Sequence, residues 1–189
     1  MKFSVKPRID PPFQRSLLIG EIAGVMKALS SAEAKADVEF NRKVDTQDGF
    51  YKAFEDVLID RGDFFLLEEG RLRPDIRSLV EATTAPIIAE KERFRVRRPA
   101  EMSAAIADVL PFQALTADGY SYPSGHAAQA FFLAQYLCSQ ITSDYCRSLF
   151  GVAHRIGYGR VRIGVHYPQD FYAGRELGLR LYGEYSGYE

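Results

Sequence analysis

The sequence predicts an all-α protein folded as a compact helical bundle. Three observations point there. Apolar residues recur at three- and four-residue spacing through most of the 189-residue chain. Helix start signals stand ahead of several of those runs. No segment keeps up the strict alternation of a half-buried strand. Hydrophobic residues make up 47% and charged residues 26%, which is enough apolar surface for one core and too little net charge for a disordered chain. A single domain over residues 1–189 is therefore expected.

The elements follow in order. Leu17, Leu18, Ile22, Val25 and Met26 fall on one helical face. Ser30, with Glu33 three residues on, reads as a capping box opening a second helix. Phe50, Phe54, Val57, Leu58, Phe64 and Phe65 suggest a third. Pro74-Asp75 suits a helix start, since Pro fits the first turn and an acid complements the dipole. That helix is expected to run toward Arg97, kinked or broken at Pro86. Gly119 to Pro123 reads as a loop, Ser124–Gln140 as a buried helix, Asp144–Val161 as another, and Pro168 as the start of a last helix running past Leu181.

Charge and composition exclude several classes. The net charge is −1, and it is unevenly spread: −3 over residues 1–90 and +2 over residues 91–189. A local positive excess fits one anionic pocket better than a nucleic-acid track. Cys138 and Cys146, the only cysteines, have no histidine cluster beside them, so no metal site is expected. They are read as free thiols, because a core of this size needs no bridge. The apolar runs Ala104–Leu115 and Ala127–Cys138 fall short of the roughly 18 residues a membrane span requires. Arg15 ahead of Ser16–Met26, with Ala32-Glu33-Ala34 after it, imitates a signal sequence. Glu21 interrupts the apolar stretch and Asp10 sits in the would-be basic region, so a cytoplasmic location is favoured.

Three segments carry chemistry. Lys91-Glu92-Arg93-Phe94-Arg95-Val96-Arg97-Arg98 holds five cations and one anion. Lys91 and Arg98 lie seven apart, two helical turns, and Pro99 puts Arg98 at a helix end from which it can lean into a pocket. Arg93, Arg95 and Arg97 cannot all face that pocket, so some are expected in solvent or against carboxylates. Tyr122-Pro123-Ser124-Gly125-His126 opens a helix, where backbone N–H groups, the Ser124 hydroxyl and the bare Gly125 backbone can hold an oxyanion. His126 could then protonate a leaving oxygen. In the third segment Arg160 adds a cation, and Asp170, four residues after His166, can reach one ring nitrogen and leave the other free to attack. Each segment alone has a plainer reading: a solvated basic face, a helix cap, a first-turn acid. Together they supply what phosphoryl transfer needs when side chains must match the phosphoryl charge. His154 falls outside all three.

In wording and order these segments resemble the type-2 phosphatidic acid phosphatase (PAP2) / vanadium haloperoxidase superfamily. Its pattern is Lys, six residues, Arg-Pro; then Pro-Ser-Gly-His; then Ser-Arg, five residues, His, three residues, Asp. Here it is met by Lys91…Arg98-Pro99, Pro123-Ser124-Gly125-His126 and Arg160…His166…Asp170, with Gly159 where the family usually has Ser. The motifs span residues 91–170, leaving 1–90 as helical scaffold. Ser121-Tyr122-Pro123-Ser124-Gly125-His126 is most similar to the soluble bacterial class A acid phosphatases.

The resemblance implies metal-independent hydrolysis of small phosphate monoesters through a phosphohistidine, with no cofactor. It implies His166 as nucleophile, Asp170 as its buttress, His126 as general acid, and Lys91, Arg98, Ser124, Gly125 and Arg160 as the phosphate-binding set. Relatives are often dimers or larger, and acid phosphatases of this kind are often exported, so assembly and compartment stay open. Two other functions remain: a vanadate-dependent haloperoxidase, and a non-catalytic helical domain binding phosphate or nucleic acid through the basic run.

Overall fold

A computed structural model describes residues 18–117, 119–141 and 145–187, and among them finds ten α-helices and one short hairpin. The helices are α1 (Leu18–Leu29), α2 (Ala32–Val44), α3 (Gln47–Arg61), α4 (Pro74–Ala82), α5 (Thr84–Phe94), α6 (Pro99–Met102), α7 (Ala104–Ala107), α8 (Gly125–Gln140), α9 (Cys146–Arg162) and α10 (Pro168–Ser186). The all-α expectation holds. Asp10, Arg15, Leu17 and Asp144 lie outside the described residues.

Helix α8 is the centre because it is apolar nearly all round. Ala127, Ala128, Phe132, Leu133 and Leu137 have no exposed surface, and each of the larger ones contributes about 1.5–3 kcal/mol by leaving water. It packs chiefly against α9 and α10. Small residues let α10 approach. A Cβ on Gly174 would stand 2.4 Å from the Ser124 carbonyl oxygen, and one on Gly178 would stand 2.2 Å from that of Ala128. The N-termini of α8 and α10 are thereby held side by side, with the Ser124 amide donating to the Asp170 carbonyl at 3.0 Å.

Several expectations are corrected. The cap of α2 is Ser31, whose hydroxyl accepts from the Ala34 amide at 3.0 Å, while Ser30 bonds back to the Lys27 carbonyl. Phe64 and Phe65 leave α3 for a 3-10 turn and are mostly exposed, because Gly62 ends α3 in the left-handed region. An antiparallel hairpin follows, pairing Leu67 with Leu72 and Glu68 with Arg71 around Glu69-Gly70. The long helix from Asp75 is two helices. It breaks at Thr83, not Pro86, which sits harmlessly in the first turn of α5. Arg95, at φ 52°, ends α5, so Lys91 and Arg98 share no helix; Arg98 is extended backbone capping α6. Cys138 and Cys146 are joined as a disulfide rather than free, their Cα atoms 5.2 Å apart.

Candidate active site

The three motif segments converge where α5, α8 and α10 begin or end around the central helix. Lys91, in the last turn of α5, donates to the backbone carbonyls of Tyr120 at 2.5 Å and Ser121 at 3.3 Å. Arg98 is buried and donates through Nε to the Gly119 carbonyl at 3.1 Å and through a terminal nitrogen to the Val165 carbonyl at 2.9 Å. That same nitrogen lies 3.3 Å from His166 Nε2. The loop carrying Ser121 to Ser124, with a cis Tyr122–Pro123 peptide, is thus tied to both cations.

His166 and Asp170 form a buried pair at the start of α10. His166 Nδ1 lies 3.0 Å from Asp170 Oδ2. The same carboxylate oxygen accepts from the Ser121 hydroxyl at 2.5 Å and the Tyr167 amide at 2.9 Å. An acceptor so loaded draws the ring proton to Nδ1 and leaves Nε2 with its lone pair. Burial first, then the charges of Arg98, Lys91, Arg160 and His126, hold His166 far below the usual imidazole range, so it is neutral. Burial raises Asp170 to about 6 against the pull of Ser121, Tyr167, Lys91 and Arg98. Burial and the neighbouring Arg98 depress Lys91 to about 7, with Asp170 opposing.

Ser124 caps α8, its hydroxyl accepting from the Ala127 amide at 3.4 Å, which leaves the hydroxyl proton to donate elsewhere. Gly125 and His126 follow in the first turn, where backbone N–H groups have no acceptor within the helix. Gly125 faces Lys91, whose Cε would lie 3.9 Å from a Cβ there. His126 Nε2 lies 3.2 Å from the Val44 carbonyl and must donate to it, so its other nitrogen, Nδ1, is the one able to carry a mobile proton. Burial and Arg160 lower its pKa to about 3.

Arg160, almost fully buried near the end of α9, pairs with Asp45 at 2.9 Å and reaches the Thr116 hydroxyl at 3.2 Å. Both contacts use one terminal nitrogen. Its Nε and its other terminal nitrogen are buried without a partner. Burial lowers Arg160 to about 10, opposed by Asp45, so it stays charged at neutral pH.

All eight residues singled out from sequence therefore meet in one neighbourhood. Sequence reasoning missed what holds them. Asp45 is buried, accepts from the Leu115 amide and the Thr116 hydroxyl, and counters Arg160. Those bonds and Arg160 outweigh burial and keep its carboxyl below the usual range. Asn41 explains Gly159: a Cβ on that residue would stand 2.2 Å from Asn41 Oδ1. Ser121 was quoted only as motif wording, yet it bridges Asp170 and His166. The outward arginines all have partners, Arg93 with Glu90, Arg95 with Glu92 and Arg97 with Glu101. His154 stacks on Tyr158 outside the site. Among the described residues, no group of three His, Cys, Asp or Glu side chains could hold a metal ion.

A profile of the PAP2 superfamily matches residues 70–184. The chain belongs to the PAP2 superfamily. A search of curated proteins returned no match. Among solved structures, the chain is similar to the transmembrane PAP2-type phosphatidylglycerolphosphate phosphatase from Bacillus subtilis. The TM-score is 0.61 at 20% identity, over 93% of this chain and 87% of that one. Among the described residues of this PAP2 protein, no helix is long and apolar enough to cross a membrane. Family and fold together support phosphoryl hydrolysis as the general chemistry. The PAP2 match begins after α3, so it omits Asn41, Val44 and Asp45, which touch the site.

Proposed function

We propose that this protein hydrolyses phosphate monoesters through a phosphohistidine on His166, with side-chain cations in place of a metal ion. The carrying observation is Arg160, a buried guanidinium with two donor nitrogens unpartnered. A buried charged donor left unmet costs on the order of 1–3 kcal/mol or more, so the site is built for an anion that supplies acceptors. Phosphoryl oxygens would take those donors together with Lys91, Arg98, the Ser124 hydroxyl and the first amides of α8.

His166 Nε2 then attacks phosphorus as the bond to the ester oxygen breaks. Asp170 holds the Nδ1 proton and balances the positive charge the ring acquires. The leaving oxygen takes the Nδ1 proton of His126, whose Nε2 stays on Val44. Burial keeps His126 neutral at neutral pH, so that proton arrives with the substrate, and a phosphoryl anion beside the ring would favour the charged form. In the second step His126 removes a proton from water, the water oxygen bonds to phosphorus, the P–N bond breaks and phosphate leaves.

A nucleic-acid-binding role loses its basis, because the exposed arginines of the basic run are each matched by a glutamate. The test is hydrolysis of p-nitrophenyl phosphate in the presence of EDTA, with rapid quench and phosphohistidine detection. Wild type should turn over and label, and His166→Ala should do neither while keeping its fold. Near-normal activity in His166→Ala, or activity lost to chelator and restored by Mg²⁺, would overturn the proposal.

A further inference from the structure

Among the described residues, two cavities border the site, and the phosphohistidine reading assigns them different roles. One, of about 480 Å³, is lined by Arg98, Gly164 and Val165 together with Leu110 and Phe112. Arg98 touches His166 Nε2 and Val165 precedes His166, so on the phosphohistidine reading this cavity falls on the attacking side of phosphorus. In-line transfer puts the leaving group on the opposite side. The other cavity, of about 290 Å³, is lined by His126, Asp45 and Thr116. It therefore opens beside the group that would protonate the departing oxygen.

We infer that the His126 cavity is the leaving-group subsite, and that it selects a small, uncharged, hydroxylated alcohol. The inference rests on the phosphatase reading above. Its floor is apolar, formed by Phe50 and Val80, both buried. Phe50 stands edge-on to the His126 ring at 6.2 Å, so the floor is continuous with the proton donor. The rim is polar and neutral except for one carboxylate. Gln47 donates to Glu81 at 2.8 Å, and Gln129 donates to Thr84 at 3.3 Å. Amide and hydroxyl groups such as these can exchange hydrogen bonds with alcohol hydroxyls.

Charge sets the exclusion. Among the described residues lining this cavity are two carboxylates, Asp45 and Glu81, and no Lys or Arg. Asp45 is committed to Arg160, but Glu81 is exposed at the rim. A leaving group carrying its own carboxylate or a second phosphate would meet the like charge of Glu81 there, while the nearest cations, Arg160 and Arg77, stand behind Asp45, Thr116 and Tyr51.

The test compares kcat/KM for three esters that share a three-carbon frame: glycerol 3-phosphate, propyl phosphate and 3-phosphoglycerate. Glycerol 3-phosphate should be best, and 3-phosphoglycerate worse by about tenfold or more at low ionic strength, with the gap narrowing as salt screens Glu81. Glu81→Lys should narrow or reverse that gap, while Glu81→Gln moves it partway. A carboxylate ester used as well as glycerol 3-phosphate, a gap indifferent to Glu81→Lys, or propyl phosphate preferred over glycerol 3-phosphate would each overturn the inference. p-Nitrophenyl phosphate run alongside separates the two failures. If it is not hydrolysed, the phosphatase reading falls; if it is hydrolysed and the ester pattern is wrong, only the subsite assignment falls.

Discussion

Replacing Gly159 by Ser, the residue the family usually carries there, should damage this protein rather than improve it. A Cβ at that position would stand 2.2 Å from Asn41 Oδ1, 3.0 Å from its Cγ and 3.1 Å from its Nδ2. Asn41 cannot easily yield. It has no exposed surface, and its amide donates to the Asp37 carbonyl at 2.9 Å. The Asp37 carboxylate is itself paired with Arg155 and Arg162 on α9. Overpacking against an immobile partner costs about 1–3 kcal/mol. At about 2–4 °C per kcal/mol for a chain of this size, Gly159→Ser should lower Tm by roughly 2–12 °C. Arg160 is the next residue, so kcat/KM should fall as well. Asn41→Ala removes all three close atoms and also an acceptor that is buried without a partner. The double variant should therefore recover stability, with a coupling of at least about 1 kcal/mol between the two sites. Thermal unfolding of the four proteins measures this. A Gly159→Ser protein as stable as the parent, or a double variant no better than Gly159→Ser alone, would refute the steric account.

Three other outcomes follow from the same geometry. Since Asp170 titrates near 6 and must be ionised, and Lys91 near 7 and must be protonated, kcat/KM should fall below about pH 6 and above about pH 7, a narrow bell; a flat profile from pH 5 to 9 would contradict both assignments. Asp45→Asn strips the counter-charge from a buried guanidinium and should cost about 3–5 kcal/mol by denaturant midpoint, with a loss under 1 kcal/mol counting against its role as the anchor of Arg160. His126→Ala should slow alkyl phosphates far more than p-nitrophenyl phosphate when the first step is followed in single turnover, because a phenolate leaves without a proton; equal slowing would leave His126 as a phosphate ligand only.

The residues of the candidate site were legible because the chemistry is written in short local patterns. His166 and Asp170 are one helical turn apart, and Ser124 to His126 are consecutive at a helix start. The helical class was legible for a similar reason, in the periodicity of α1 and α3, the apolar composition of α8 and the Pro start of α10. What was not legible is non-local. Asp45 meets Arg160 across 115 positions of chain, and a lone acid ahead of a Thr cap gives no sign of such a partner. Asn41 and Gly159 are complementary in shape, which no single position records. The position of Arg98 depended on where α5 would end, and the spacing from Lys91 favoured a continuous helix. Arg95 adopts a left-handed conformation that a non-glycine residue rarely takes, and the chain turns there instead.

The displaced pKa values say what kind of group these side chains are arranged to hold. Lys91 is held below its usual value, so its charged form costs stability increasingly as pH falls from the unfolded value toward about 7. Asp170 is held above its usual value, so its charged form costs stability increasingly as pH rises from 3.8 toward about 6. Near neutral pH both costs are close to their full size, and Arg160 adds two unmet donors. The Asp170 carboxylate shows no hydrogen bond to the three cations: Oδ2 serves Ser121, His166 and Tyr167, and the buried Oδ1 has no partner among the described residues. Asp45 is spent on one nitrogen of Arg160 and on the loop at Leu115 and Thr116. On the proposed function the residual demand is for negative charge on several oxygens at once, shared among Lys91, Arg98, Arg160 and the start of α8. A phosphoryl group meets that demand. In the proposed transfer to His166 its charge would redistribute among donors already in place, and a site spared that reorganisation would gain its rate there.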